Sequence, residues 1–166
     1  MDKKSLSEQD ICSKFILPSV VSAGWDLQSQ IREQYSFTAG RIIVHGKTVE
    51  RGERKRADFI LYQKPNVPIA LIEAKDNAHS VGAGMQQALD YAEALDIPFV
   101  FSSNGDGFLE HDRLQKEGIV EREISMTTFP SPDELVRRYQ VANGITPEVE
   151  SVIDQEYFQE LGGKEP

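Results

Sequence analysis

Three charged residues stand at the ends of two apolar runs. Asp58 lies in Ala57-Asp58-Phe59-Ile60-Leu61-Tyr62, and Glu73 and Lys75 close Pro68-Ile69-Ala70-Leu71-Ile72-Glu73-Ala74-Lys75. Side chains alternate along a strand, so Glu73 and Lys75 share one face and Ala74 takes the other. Charges at the ends of buried strands are costly unless they are paired or bound to a metal. Two carboxylates about 5 Å apart repel by roughly 3 kcal/mol at an effective dielectric of 20. Lys75 offsets part of that repulsion and a divalent cation reverses it. The chemistry that suits the set is phosphodiester hydrolysis with Mg2+, a hard ion satisfied by carboxylate, carbonyl and water oxygens. Asp58, Glu73 and the backbone carbonyl of Ala74 would supply three ligands. Lys75 would orient or help deprotonate the attacking water, or stabilise the developing charge. An E-x-K triplet alone is common, and it also reads as a strand-end ion pair beside an unrelated loop acid.

The elements that must position these residues are legible around them. Ser7 with Asp10 three residues later has the pattern of a capping box, and Ile11, Phe15 and Ile16 fall on one helix face until Pro18 limits or kinks it. Ile31 to Phe37 alternates weakly, and Arg41-Ile42-Ile43-Val44 is a short apolar strand turned at His45-Gly46. The two runs that carry the charged residues are joined by Lys64-Pro65-Asn66-Val67-Pro68, so an antiparallel hairpin is expected. After Gly82 and Gly84, Met85 to Leu95 is a strong helix pattern. Pro98 to Phe101 is a buried strand, and Asn104-Gly105-Asp106-Gly107 turns into Phe108-Leu109-Glu110. Ser131, Pro132 and Glu134 open another helix, and a further one starts near Thr146 before the Gly162-Gly163 tail. The order predicts an α/β layer fold with a mixed sheet flanked by helices. It divides into a domain over 1–140 and a C-terminal helix or linker over 141–166.

Composition removes several classes. At 166 residues, 39% hydrophobic and 27% charged, the chain is globular, and no apolar run is long enough for a membrane helix. It has no signal-peptide core, and its one cysteine, Cys12, leaves no disulfide framework or multi-cysteine zinc site. A cytoplasmic location is expected. The net charge of −9 argues against coating nucleic acid by bulk electrostatics. Yet from Arg41 to Lys64 seven Lys/Arg face three acids, a local +4, while from Ser131 onward the balance is −5. Gly46-Lys47-Thr48, with Gly40 upstream, imitates a phosphate-binding loop, but five residues rather than four separate the two glycines and no helix is expected to follow. No ATP site is expected in this chain. His45, His79 and His111 lack metal-ligand spacing, and Cys12, Trp25 and the phenylalanines read as packing residues.

The helix after the E-x-K run carries Gln87 and Tyr91, four apart and on one face. A strand-end acid, an E-x-K on the neighbouring strand and a Q-x-x-x-Y helix together resemble the PD-(D/E)xK nuclease superfamily, in the branch bearing that last motif. Further segments narrow the likeness: Glu8, Gly24-Trp25, Lys55-Arg56-Ala57-Asp58, Gln87-Ala88-Leu89-Asp90-Tyr91-Ala92, Ser103-Asn104-Gly105 and Phe129-Pro130-Ser131-Pro132. With these, residues 8–140 resemble the N-terminal nuclease domain of Type I restriction enzyme R subunits.

That resemblance implies a restriction-endonuclease-like core and a Mg2+-dependent endodeoxyribonuclease acting on double-stranded DNA. In it Asp58 and Glu73 bind the metal, Lys75 is catalytic, and Gln87 and Tyr91 support the site or touch the DNA backbone. Glu8 is either an extra acid of the metal site or a favourable charge in a first helical turn. Arg54 and Arg56, with Arg51 and Lys55, lie just before Asp58, where they would hold phosphate near the metal. Target recognition would belong to a separate specificity subunit, met with the modification subunit through the full-length R subunit, and ATP would act only through a motor domain that this chain lacks. Two other readings stand beside it. One is a repair or junction-resolving nuclease on the same fold; the other is a non-catalytic docking module using the acidic C-terminal segment.

Overall fold

A computed structural model describes residues 2–39 and 53–144. The expected strand Arg41–Val44, the Gly46-Lys47-Thr48 turn, His45, Arg51, the helix near Thr146 and the tail lie outside the described residues. Among the described residues six strands form one mixed sheet: β1 (Ile31–Ala39), β2 (Glu53–Lys64), β3 (Val67–Ala74), β4 (Phe99–Ser103), β5 (Phe108–Asp112) and β6 (Glu121–Ile124). Their order in space is their order in sequence. Every neighbouring pair is antiparallel except β3 and β4, which run parallel because the helix α3 (Met85–Leu95) carries the chain back between them.

The N-terminal helix begins as expected. Ser7 Oγ accepts the Asp10 N–H and the Asp10 carboxylate accepts the Ser7 N–H, which starts α1 (Glu8–Ile11). Pro18 neither ends the helix nor stands in a plain α-helix. A π-helical turn, Cys12–Ile16, precedes α2 (Leu17–Ser22), and the Leu17 N–H bonds the Cys12 carbonyl. Proline has no N–H to give to the fourth carbonyl back, and widening the preceding turn accommodates that loss. At the other end, Ser131 caps α4 (Pro132–Ala142) by accepting the Glu134 N–H, but the Glu134 carboxylate turns to Arg138 instead of completing a box.

Helices cover both faces of the sheet. On one side Ile11, Ile16, Val20 and Leu135 pack with Phe59, Leu61, Ile72, Phe99 and Phe101. On the other, Met85, Ala88, Tyr91 and Ala92 of α3 pack with Phe37, Ala57, Ile60, Leu71 and Val100. Burying both faces is why β3 and β4 read as continuous apolar runs. Trp25 is a core residue, as expected, and its indole N–H donates to the Pro130 carbonyl at 2.9 Å. Cys12 is buried as well. β6 had no signal in the sequence, since Glu121, Arg122 and Glu123 of this edge strand are exposed and offer no apolar face. Among the described residues no helix is long and apolar enough to cross a membrane.

Candidate active site

β2 and β3 bring Asp58 and Glu73 together at the point where their backbone pairing gives out. The register runs Leu61 opposite Ala70, Ile60 opposite Leu71 and Phe59 opposite Ile72. One step further the side chains take over the ladder. The Asp58 N–H donates to Glu73 Oε2 at 2.7 Å, and the Ala74 N–H donates to Asp58 Oδ2 at 2.8 Å. Each carboxylate therefore holds a backbone donor of the opposite strand, which fixes both side chains in place.

A second irregularity lies on the β1 side of Asp58. Residues of β1 and β2 pair from Ile31–Leu61 to Glu33–Phe59, and again from Tyr35–Ala57 to Ala39–Glu53, but not at Gln34 and Asp58. Gln34 has φ +53°, in the left-handed region. The two strands invert their faces there. Phe59 packs under the N-terminal helices, whereas Ala57, two residues away, packs with α3. A regular strand would put both on one side. The Gln34 side chain favours the ionised form of the Asp58 carboxylate.

Electrostatically the pair is loaded. Burial, and then the charge of Asp58, push the Glu73 carboxyl up to about 8, against the pull of the Asp58 N–H and Lys75. Asp58 is also raised by burial, though the Ala74 N–H, Gln34, Lys75 and Arg56 all favour its ionised form. Glu8 on α1 is raised by burial, then by Asp58, and its charge also feels Lys75, Asp76 and His79. Two carboxylates that resist ionising side by side form a site that a cation would relieve. Glu73 Oε1 has no hydrogen-bond donor among the described residues. The donors at hand, two carboxylates and the Ala74 carbonyl, are all hard oxygens, and they suit Mg2+ or Mn2+ better than a softer metal. Among the described residues no three His, Cys, Asp or Glu side chains converge into a complete cage. The rest of such a shell would be carbonyl, water or substrate oxygen.

The loop after Lys75 closes onto this pair. Ser102 of β4 accepts the Gly84 N–H at 3.0 Å and donates to the Val81 carbonyl at 2.8 Å. A Cβ on Gly84 would stand 3.1 Å from Ser102 Oγ, 3.5 Å from Lys75 Cγ and 3.6 Å from Glu73 Cβ. Gly84 is thus the residue that lets α3 start directly above Glu73 and Lys75, which share its face of the sheet as the alternation predicts. The buried side chains of Asn77 and Asn104 pin the same loop, through the Asn104 carbonyl at 2.9 Å and the His79 carbonyl at 2.7 Å.

The sequence model of the family described as "Type I restriction enzyme R protein N terminus (HSDR_N)" matches residues 27–122, which hold β1 through β5, the start of β6 and the whole Asp58–Glu73–Lys75 arrangement. The chain belongs to this family. Among R-protein relatives it is 43% identical, over 167 aligned positions, to the Type I restriction enzyme EcoAI endonuclease subunit of Escherichia coli, covering all of this chain and 21% of that protein. A solved fragment described as the HsdR subunit of a type I restriction enzyme from Vibrio vulnificus YJ016 superposes with a TM-score of 0.71 at 44% identity, over 86% of this chain and 27% of that one. The chain thus spans about a fifth to a quarter of the length of these R-subunit relatives. Its fold is the restriction-endonuclease-like α/β arrangement expected from the sequence.

Other expected site residues of this R-protein N terminus fall in two places. Gln87 Nε2 donates to Tyr91 Oη at 2.5 Å, and Tyr91 is buried edge-on against Phe37, so this pair ties α3 to β1 on the Lys75 face. Arg54 and Arg56 are exposed on β2, and the charge of Arg56 reaches Asp58. His79 and His111 are partly exposed, each with Nδ1 on an acid, Asp76 at 2.8 Å and Glu121 at 2.7 Å. Three residues that shape the site were not singled out from the sequence: Gln34, Ser102 and Asn77. Gln34 sits in a weakly alternating segment, and Ser102 reads as one more strand residue. Nothing local marks them. A surface hollow of about 120 Å3 lies beside Arg32, Tyr62 and Asn66.

Proposed function

We propose that this chain is the metal-dependent endonuclease domain of a Type I restriction enzyme R subunit, and that it hydrolyses phosphodiester bonds in double-stranded DNA. The observation that carries this reading is the reciprocal seating of Asp58 and Glu73, with Lys75 on the same face as Glu73. Asp58, Glu73 and the Ala74 carbonyl would hold the metal, with Glu8 close enough to add charge from α1. Bound Mg2+ would supply Lewis-acid stabilisation and an acidified water at the scissile phosphate. The residues of the chain do the rest. The Ala74 and Asp58 N–H groups hold the two carboxylates in fixed positions. Lys75 offers its ammonium to the attacking water or to the charge that builds on the phosphate, and Gly84 leaves it room to do so. The Gln87–Tyr91 pair braces α3 over this face, and Arg54 and Arg56 hold the backbone of the incoming strand.

Residues 1–140 would form the nuclease domain and 141–166 the connection to a motor that uses ATP. Through the full-length R subunit the domain would meet the modification and specificity subunits in the cytoplasm. The family match favours this setting over a free-standing repair or junction-resolving nuclease. The two buried carboxylates, both raised by burial, favour a metal site over a docking module, which has no need of them. Mn2+-soaked crystals of the chain test the reading by anomalous scattering. A peak within about 2.5 Å of oxygens of both Asp58 and Glu73, lost in Asp58→Ala, is the expected result. No peak, either alone or with a bound oligonucleotide, would overturn it.

A further inference from the structure

Beyond Gln34 the β1–β2 ribbon carries an exposed strip that is unusual for a chain of net charge −9. Its register sets Ser36 opposite Arg56 and Thr38 opposite Arg54. All four side chains are exposed, while Phe37 and Ala57, on the opposite face, are buried against α3. Each rung of the strip therefore offers one guanidinium and one hydroxyl, side by side. Successive rungs are about 7 Å apart, from two residues at 3.4 Å each. Neither arginine has a hydrogen-bond or ion-pair partner among the described residues. No acid shares these two rungs, and the strip runs directly to Asp58, whose ionisation Arg56 already favours.

We propose that this face is a track for the DNA phosphate backbone, in which the Ser36–Arg56 and Thr38–Arg54 rungs engage separate phosphates and lead the strand to Asp58. Arginine and small hydroxyl side chains are the groups that contact phosphate oxygens without reading bases. Both kinds of side chain reach phosphate oxygens whatever the base sequence, so these contacts are indifferent to sequence. The face inversion at Gln34 has a role in this. It keeps the ribbon's apolar side on α3 while the polar side continues towards the carboxylates. This assignment rests on the nuclease reading for its purpose, but it is tested by binding alone.

Fluorescence anisotropy of a short labelled duplex with the full chain, in EDTA, reads affinity with no cleavage. The wild-type chain binds, with log K falling linearly in log[salt]. Arg54→Ala/Arg56→Ala lowers that slope by about 2, from about 0.9 per phosphate contact, and Arg54→Lys/Arg56→Lys keeps it. Ser36→Ala/Thr38→Ala weakens binding about five- to hundredfold at unchanged slope, the worth of two hydrogen bonds. Lys64→Ala, at the far end of β2, is the control and changes neither quantity beyond one contact. No binding by the wild type, or an unchanged slope in the double alanine variant, would overturn the track. Mn2+ binding by the same variants separates this from the nuclease reading. A ribbon effect without a metal site would keep the track and sink the nuclease; a metal site without a ribbon effect would do the reverse.

Discussion

Gln34 faces Asp58 across β1 and β2 at the rung where their pairing is interrupted, and its side chain favours the ionised form of the carboxylate it faces. Its backbone is left-handed, at φ +53°. Every residue with a Cβ is strained in that region, by about 1–2 kcal/mol, and a β-branched one more so. Gln34→Val should therefore lower stability, and Gln34→Gly should relax the backbone while losing the side chain that faces Asp58. Urea denaturation of the two variants measures the difference. Equal stability of Gln34→Val and wild type would mean that the rung is not held as described.

The pH dependence of the metal-free chain follows from Glu73. Its carboxyl goes from 4.5 in the unfolded chain to about 8 in the fold. Between those values the folded state keeps a proton that the unfolded state releases, so stability falls as pH rises. Asp58, raised in the same direction, adds to the trend. Thermal melts in EDTA should show the midpoint dropping from about pH 4.5 to about pH 8, and Glu73→Gln should flatten the drop. A midpoint that climbs across this window would contradict the burial of the pair.

Lys75 and Gly84 separate binding from chemistry. Lys75→Met removes the ammonium but none of the oxygen donors, so the variant should bind Mn2+ at least as tightly as wild type, while a full-length R subunit carrying it no longer cuts DNA. Gly84→Val puts a branched side chain where even a lone Cβ would stand 3.1 Å from Ser102 Oγ. It should displace the loop and weaken Mn2+ binding, as read by calorimetry. Unimpaired cutting by Lys75→Met would remove that residue from the reaction.

Away from the site, α4 is clamped to the sheet by charge. Arg138 bonds Glu110 through both terminal nitrogens, at 3.2 and 2.9 Å, and its guanidinium lies over the Phe99 ring. Glu110 is almost fully buried, with the more exposed Arg122 as its other partner. Truncating one member of such a pair leaves a charge desolvated, so Arg138→Ala should cost roughly 3 kcal/mol. Arg138→Ala combined with Glu110→Leu should recover much of it. Chemical denaturation of the single and double variants decides the matter.

What could be read in advance was local. Asp58, Glu73 and Lys75 lie on one hairpin, so strand alternation and a short turn suffice to bring them together. The Ser7–Asp10 box and the α3 pattern are equally short-range. The missing parts depend on tertiary contact or on broken periodicity. β6 carries no apolar face, and the π-helical turn before Pro18 has no composition of its own. The inversion at Gln34 contradicts the very alternation by which strands are recognised. Ser102 and Asn77 acquire meaning only once β4 lies beside β3 and the loop after Lys75 folds down on them.

The sheet grows in the order in which its strands are made. During synthesis each new strand therefore meets a partner that has already emerged, and the pairing never waits for a distant segment. The residues of the hairpin that holds Asp58 and Glu73 leave the ribosome before the first residue of α3. Until α3 docks, one face of that segment stays wet, where ionising both carboxylates costs little. The strain of housing them together is deferred until α3 docks and shuts the water out.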